Sequence, residues 1–292
     1  KLWYMIKAYI TMLFIVPCYD IIHFHTVPGR SITMQMPVFL YSLLWRKKTI
    51  IHIHVGNQLL GHKDDSMFKY VLNNATKVVV LANVLKDLMK EHYNIDAEVL
   101  YNPIEEHPPR DKSKIEKKVF FAAYLTQNKG YDTLLRAFKE VVVKHPVWEL
   151  VLAGSGETEN AKKLINELGI ENNVEQHLWL NKEQMSEFYQ KVSIYCIASK
   201  QEGFPMAFLE AASYGVPIVT TPVGGIVDVI EDEKNCMIFG FDNHVELADK
   251  INKLIENSEI YNTISKNLIL LTIEKFSLDA INKELYNIYN NL

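Results

Sequence analysis

EGFPMAFLEAASYGVPIVTTPVGG, residues 202–225, decides how the rest of the chain is read. Two glutamates, Glu202 and Glu210, flank an apolar run with Pro205 near its start. A proline suits the first turn of a helix, where its missing N–H is not needed. The run therefore predicts a helix over 205–214, ended by Gly215. Glu210 falls about one and a half turns into it. Its neighbours Ala207, Phe208, Leu209, Ala211 and Ala212 are apolar on nearly every side, and a charge is rarely sent into such a core without a partner. The bland reading makes Glu202 an exposed loop residue and Glu210 a surface helix position. The functional reading is favoured.

Working outward, SIYCIA (193–198) reads as a strand, which puts Glu202 beyond its carboxyl end, where ligands bind in doubly wound parallel sheets. The free N–H groups of Met206, Ala207 and their neighbours make a ready anion site. A carboxylate beside a bound phosphate must serve hydroxyls instead. Its two oxygens can hold a vicinal diol, at about 1.5–3 kcal/mol per charged hydrogen bond. Phosphate plus diols describes a nucleotide sugar.

The same alternation runs through the chain. Strands are predicted at 20–25, 49–55, 77–82 and 98–101, then at 119–124, 148–153, 174–179, 193–198, 217–221 and 237–239. They are nearly continuous in Val, Ile and Leu, as strands buried on both faces are. Helices are predicted at 38–45, 66–74, 83–92, 133–144, 160–168, 182–191, 205–214 and 245–257, with Asn83 as an N-cap and Gly169 and Gly215 at helix ends. EEHPPRDKSKIEKK (105–118) is the linker candidate. Strand–helix alternation at this pitch predicts two doubly wound α/β domains.

Bulk properties agree. The 292 residues are 48% hydrophobic and 23% charged, enough for two cores. A net charge of −4 gives no reason to expect nucleic acid. The three cysteines, Cys18, Cys196 and Cys236, form no CxxC pair, so neither a disulfide framework nor a zinc ribbon is expected. KLWYMIKAYITMLFIVP (1–17) is too short to span a bilayer and reads as a buried or partly buried helix. His23, His25, His52 and His54 form two H-x-H pairs on adjacent strand candidates. Alternate strand residues share a face, so each pair can hold a metal. No carboxylate or cysteine completes a set, and the reading is no metal, with structural roles for His23, His25 and His52.

Glu-x7-Glu, then A-x-x-x-G-x-P-x-V, then Gly224-Gly225, resembles the signature of retaining glycosyltransferases of family 4. The resemblance runs through YDIIHFHT, TIIHIHVGN, VVVLANVLKDLM, VLYNPI, VFFAAYLTQNKGYDTLLRAF, LVLAGSGE and the terminal FSLDAINKELYNIYNNL, in order. It implies the GT-B fold: two Rossmann-like doubly wound domains facing a cleft. The expected parts are a partial acceptor-side domain at 1–108, a nucleotide-sugar domain at 109–276, and a helix at 277–292 crossing back. It implies transfer of a hexose from a nucleotide diphosphate sugar to a glycan or lipid-linked acceptor, with retention and no metal or other cofactor. By position, Glu202 would contact donor-sugar hydroxyls and Glu210 the ribose. The backbone of Gly203, Phe204, Pro205, Met206 and Ala207 would cradle the distal phosphate, beside Gly224 and Gly225. Lys129 would neutralise the departing diphosphate, and His54 would face the reacting sugar.

Three departures stand out. Ala123-Tyr124 replaces a Gly-Arg pair, Pro205 replaces a glycine, and Asp228 replaces a glutamate. Nothing before the N-terminal helix corresponds to the family's first strands and glycine-rich loop, so an incomplete first domain is expected. A catalytically degenerate partner subunit is the competing reading. A nucleotide-sugar epimerase fits the motif order poorly. Base recognition is expected on backbone near Leu180 and Asn181. The composition and the aromatic, basic N-terminal stretch point to a bacterial protein of the cytoplasm, placed for peripheral contact with the inner membrane face, in surface polysaccharide assembly.

Overall fold

The computed structural model describes residues 2–292. The chain forms two compact units, one of residues 1–102 with 281–292, the other of residues 103–280.

The first unit holds a four-stranded parallel sheet in the order β1-β2-β3-β4: Ile21–Thr26, Lys48–Ile53, Lys77–Val80 and Glu98–Val99. β2 and β3 are buried along nearly their whole length, which is why they read as unbroken Ile and Val. Its helices are α1 (Leu2–Ile15), α2 (Arg30–Leu44), α3 (Ser66–Asn74) and α4 (Asn83–Tyr93). The last helix, α11 (Leu278–Asn290), contributes its 281–290 portion: Ile281 and Ile288 pack with Ile50, Val79 and Leu100. Lys48 Nζ donates to the Leu292 carbonyl at 2.6 Å.

Three sequence expectations change here. α1 is not buried: Trp3, Tyr4 and Phe14 are 71%, 76% and 73% exposed. It is tied to α2 by Tyr9 OH donating to the Met34 carbonyl and Tyr41 OH donating to the Leu13 carbonyl, at 2.6 and 3.0 Å. An apolar helix without a polar stripe carries no signal of which face is covered. α2 begins at Arg30 and runs through Pro37, losing one hydrogen bond rather than starting after the proline. Asn83 is the first helical residue of α4, not its cap, and Ala82 stands at the N-cap.

The second unit holds a six-stranded parallel sheet in the order β10-β9-β8-β5-β6-β7. The strands are β5 (Glu116–Ala122), β6 (Glu149–Ala153), β7 (Val174–His177), β8 (Val192–Ile197), β9 (Ile218–Thr220) and β10 (Met237–Ile238). The helices are α5 (Tyr131–Lys144), α6 (Thr158–Leu168), α7 (Lys182–Lys191), α8 (Met206–Ser213), α9 (His244–Glu256) and α10 (Ser258–Leu271). β5 already occupies part of the expected linker. The remaining polar stretch is fastened by Arg110, which donates to the carbonyls of Val192 and Gly215 at 2.6 and 2.9 Å. α10 went unread because Asn257 both ends α9 and caps α10, accepting from the N–H groups of Glu259 and Ile260.

The chain adds β6 and β7 on one side of β5, then returns to add β8, β9 and β10 on the other. The loops after β5 and β8 therefore diverge and leave a crevice at the carboxyl edge. Gly130, closing the β5 loop at φ +71°, makes their approach possible: a Cβ there would lie 2.2 Å from the Ala198 carbonyl oxygen. Gly130→Ala is expected to cost about 2–3 kcal/mol, from left-handed strain plus the clash. Urea unfolding should show the midpoint falling at unchanged slope.

Candidate functional site

Lys129 and Glu202 close the crevice. Lys200 N–H donates to the Asn128 carbonyl at 2.8 Å, joining the two loops through their backbones. Beside that bond, Lys129 Nζ meets Glu202 Oε1 at 2.5 Å. Ser199 Oγ donates to the same oxygen at 2.7 Å, and Thr221 Oγ1 donates to the Ser199 carbonyl at 2.6 Å. Both donors use Oε1, which leaves the acceptor capacity of Oε2 unused by them.

Lys129, Ser199, Glu202, Pro205, Met206 and Ala207 line one cavity of about 150 Å³. Pro205 is the N-cap of α8. The first amides of that helix have no intrahelical acceptor, so this cavity carries both the cation and the positive helix end.

Gly203, Phe204, Gly224 and Gly225 have a different place. Gly225 N–H donates to the Gly203 carbonyl at 2.6 Å. A Cβ on Gly224, at φ +53°, would lie 2.3 Å from the Gly203 oxygen and 2.7 Å from that of Glu202. The glycine pair thus lies directly against the backbone that carries Glu202. The Phe204 ring is buried edge-on to Phe276, centroids 5.6 Å apart.

On α8, Met206, Ala207 and Glu210 share one face, while Phe208, Leu209, Ala211 and Ala212 are buried. Glu210 lines a second cavity, of about 440 Å³, with His107, Lys182, Ser186, Tyr189 and Tyr214. Tyr189 OH donates to Glu210 Oε2 at 3.0 Å. Burial pushes the Glu210 carboxyl above its ordinary pKa, and the Tyr189 hydrogen bond and the Lys182 charge oppose that rise. A third cavity, of about 220 Å³, shares Ala122 and Ala123 with the first and Met185 with the second. Tyr124, Leu178, Trp179 and Leu180 also line it, with Tyr124 and Trp179 largely exposed. The three cavities thus share walls along the carboxyl edge of one sheet. Asn181 lies at this edge as the cap of α7 in a full capping box.

His54 belongs to the first unit, just past β2. Its Nε2 is 2.8 Å from His25 Nδ1. Burial lowers the pKa of His25 and His54, and holds His23 at about 4 and His52 at about 2, each helped by the neighbouring imidazoles. Ser199 and Tyr189 were not read from the sequence. Ser199 had a signal, as the second residue past a buried strand and three before Glu202. Tyr189 had none, being one aromatic among several on an amphipathic helix.

Two parallel α/β units, the second with a crevice where its strand order reverses, define a GT-B-like fold. Residues 104–269 match the family of glycosyl transferases group 1, and the chain belongs to that family. It is 30% identical over 234 residues to an uncharacterized glycosyltransferase of Haemophilus influenzae, covering 78% of this chain and 64% of that one. It is 28% identical over 190 residues to the capsular polysaccharide biosynthesis glycosyltransferase CapM of Staphylococcus aureus, covering 62% of this chain and 50% of that one. The chain thus spans less than two thirds of the length of these relatives. Among solved structures, Anabaena Alr3699/HepE in complex with UDP superposes with a TM-score of 0.80 at 20% identity, covering 96% of this chain and 82% of that one. TarM superposes with a TM-score of 0.77 at 22% identity, covering 92% of this chain and 54% of that one. Among the described residues, no helix is long and apolar enough to cross a membrane.

Tyr189→Phe removes the hydrogen bond that holds the Glu210 pKa down, so that pKa should rise further. The sign for stability follows. A carboxyl with a raised folded pKa costs most when ionised, so the variant should lose more stability at pH 8 than at pH 5. About 1 kcal/mol is expected at pH 8, allowing for solvent screening. A 13C NMR titration of the Glu210 carboxyl, with urea unfolding at both pH values, checks this.

Proposed function

We propose that this chain binds a nucleotide diphosphate sugar and carries the reacting part of a glycosyltransferase. It would move a hexose to a glycan or lipid-linked acceptor with retention, in surface polysaccharide assembly. The observation that carries the reading is the joined set of cavities, with Lys129, Glu202 and the α8 N-terminus at one end and Glu210 at the other. That order of cation, helix end and carboxylates along the cavities suits a ligand with an anionic middle and a diol at each end. HepE has been solved with UDP and with UDP-glucose, and CapM is a capsular polysaccharide enzyme; both facts support the reading.

In this reading the diphosphate lies on the first amides of α8 beside Lys129. Glu202 Oε2 accepts from a sugar hydroxyl, and Glu210 accepts from the ribose diol. The exposed faces of Tyr124 and Trp179 offer apolar surface along the same groove. As the bond from the anomeric carbon to the phosphate oxygen breaks, negative charge grows on the diphosphate, where Lys129 and the helix end stabilise it. The acceptor oxygen bonds to the anomeric carbon from the face the nucleotide leaves, and its proton passes to the departing phosphate oxygen. Lys129 is neutralised by Glu202 in the ligand-free site, so the incoming diphosphate competes for a cation already in position. No protein metal takes part in these steps.

Calorimetry with UDP as probe tests the donor side. Glu210→Gln should weaken binding at least about tenfold, because a carboxylate is lost to the ribose hydroxyls. Wild-type affinity should fall as the pH is lowered through the raised Glu210 pKa, since the protonated acid loses acceptor capacity, and the Gln variant should lose that component. Unchanged UDP binding in Glu210→Gln would remove the basis for the assignment. Hydrolysis of a panel of nucleotide sugars then tests the enzyme: Lys129→Ala should lower kcat about a hundredfold. Tight binding with no turnover of any donor would instead favour a non-catalytic subunit.

A further inference from the structure

His23, His25, His52 and His54 stand on one face of the first unit's sheet. Alternate strand residues share a face, and the parallel register sets His25 opposite His52. Their rings crowd together, with centroids 4.5 Å apart for His23–His25, 5.1 Å for His25–His52 and 5.4 Å for His23–His52. His52 is 4% exposed, and both its ring nitrogens are buried without a hydrogen-bond partner. The Leu100 main chain faces His52 as a weak hydrogen-bond acceptor that raises its pKa slightly against the burial, outside the geometry of a full hydrogen bond. His23 Nε2 is also buried and unpartnered. Such orphaned nitrogens are uncommon in folded interiors and call for an explanation.

The remaining nitrogens show how the rings are held. His23 Nδ1 lies 2.9 Å from Tyr289 OH, and His25 Nδ1 lies 2.8 Å from His54 Nε2. One nitrogen of His23 and one of His25 are thus engaged by a neighbour, while both nitrogens of His52 and Nε2 of His23 stay buried and unpartnered. Metal-bound imidazoles are supported in this way. One ring nitrogen from each of His23, His25 and His52 lies within 4.8 Å of the other two.

We propose that His23, His25 and His52 bind one late first-row divalent transition ion of the zinc class, with Tyr289 and His54 orienting the ligands. An all-imidazole set suits zinc, copper or nickel, not magnesium or calcium, which take oxygen. At Zn–N distances of about 2.0–2.1 Å, tetrahedral ligand atoms sit roughly 3.3 Å apart, so the rings close inward by about an ångström and a fourth position stays open. The H-x-H spacing shows two donors per strand, and the third comes from the neighbouring strand through the register. The site draws only on first-unit residues and does not depend on Lys129, Glu202 or Glu210.

The test uses the 292-residue chain stripped with a chelator and titrated with Zn2+ by calorimetry and with Co2+ by absorption. One equivalent of Zn2+ should bind and raise Tm, and Co2+ should give the intense visible bands of a four-coordinate site. His25→Asn, at an exposed position, should fold and lose at least about tenfold in affinity, together with the Tm rise. His52→Asn should do the same, and His177→Asn, beside Glu175 elsewhere, should change nothing. Absence of stoichiometric Zn2+ binding would overturn the proposal. So would Zn2+ affinity unchanged in His25→Asn.

Discussion

The Lys129–Glu202 ion pair spans the one place where the strand order of the second sheet reverses. Loops that diverge from adjacent strands have no reason to stay together without a tie. Here the tie is double, a backbone hydrogen bond from Lys200 to Asn128 and the ion pair beside it. Both charged groups are mostly shielded from water, at 28% and 16% side-chain exposure, where an unpartnered charge is costly. Ser199 and Thr221 continue the network into the loops after β8 and β9. The orientation of Glu202 is therefore fixed by the fold itself.

α8 extends that order along the sheet edge. Its buried face holds it against the core through Phe208 and Leu209, while Met206, Ala207 and Glu210 remain on the outer face. Tyr189 supports Glu210 from α7. It is held in an aromatic cluster, stacked on Tyr214 at 5.6 Å and edge-on to Phe120 at 5.6 Å. A phenol fixed on both sides can donate to the carboxylate with little loss of side-chain freedom.

Much of this was legible in the sequence because strands buried on both faces write themselves as runs of Val, Ile and Phe. Each predicted strand is present within a few residues, and β5, β6 and β8 are the clearest. Gly169 caps α6 and Gly215 follows the Tyr214 cap of α8, both at φ +65° at the helix ends their positions implied. Lys129, Glu202, Met206 and Ala207 share a cavity because loop position and helix start are local features. What the sequence hid was tertiary. The partnership of Tyr189 with Glu210 joins two helices, and the gathering of His23, His25 and His52 depends on a register between strands. α1 is apolar all round, so its exposure could not be read from its composition.

The placing of β5 between β6 and β8 has a kinetic side. β5 cannot gain its second neighbour until a segment some seventy residues later has been made, and β9 follows β8 in turn. Pairings this distant along the chain form slowly, because loop closure comes before any contact rewards it. The crevice thus cannot exist during synthesis until the chain has passed β8. A nascent chain that stops short of β8 would present β5 as a bare apolar edge, a natural substrate for chaperones rather than a partly formed binding site.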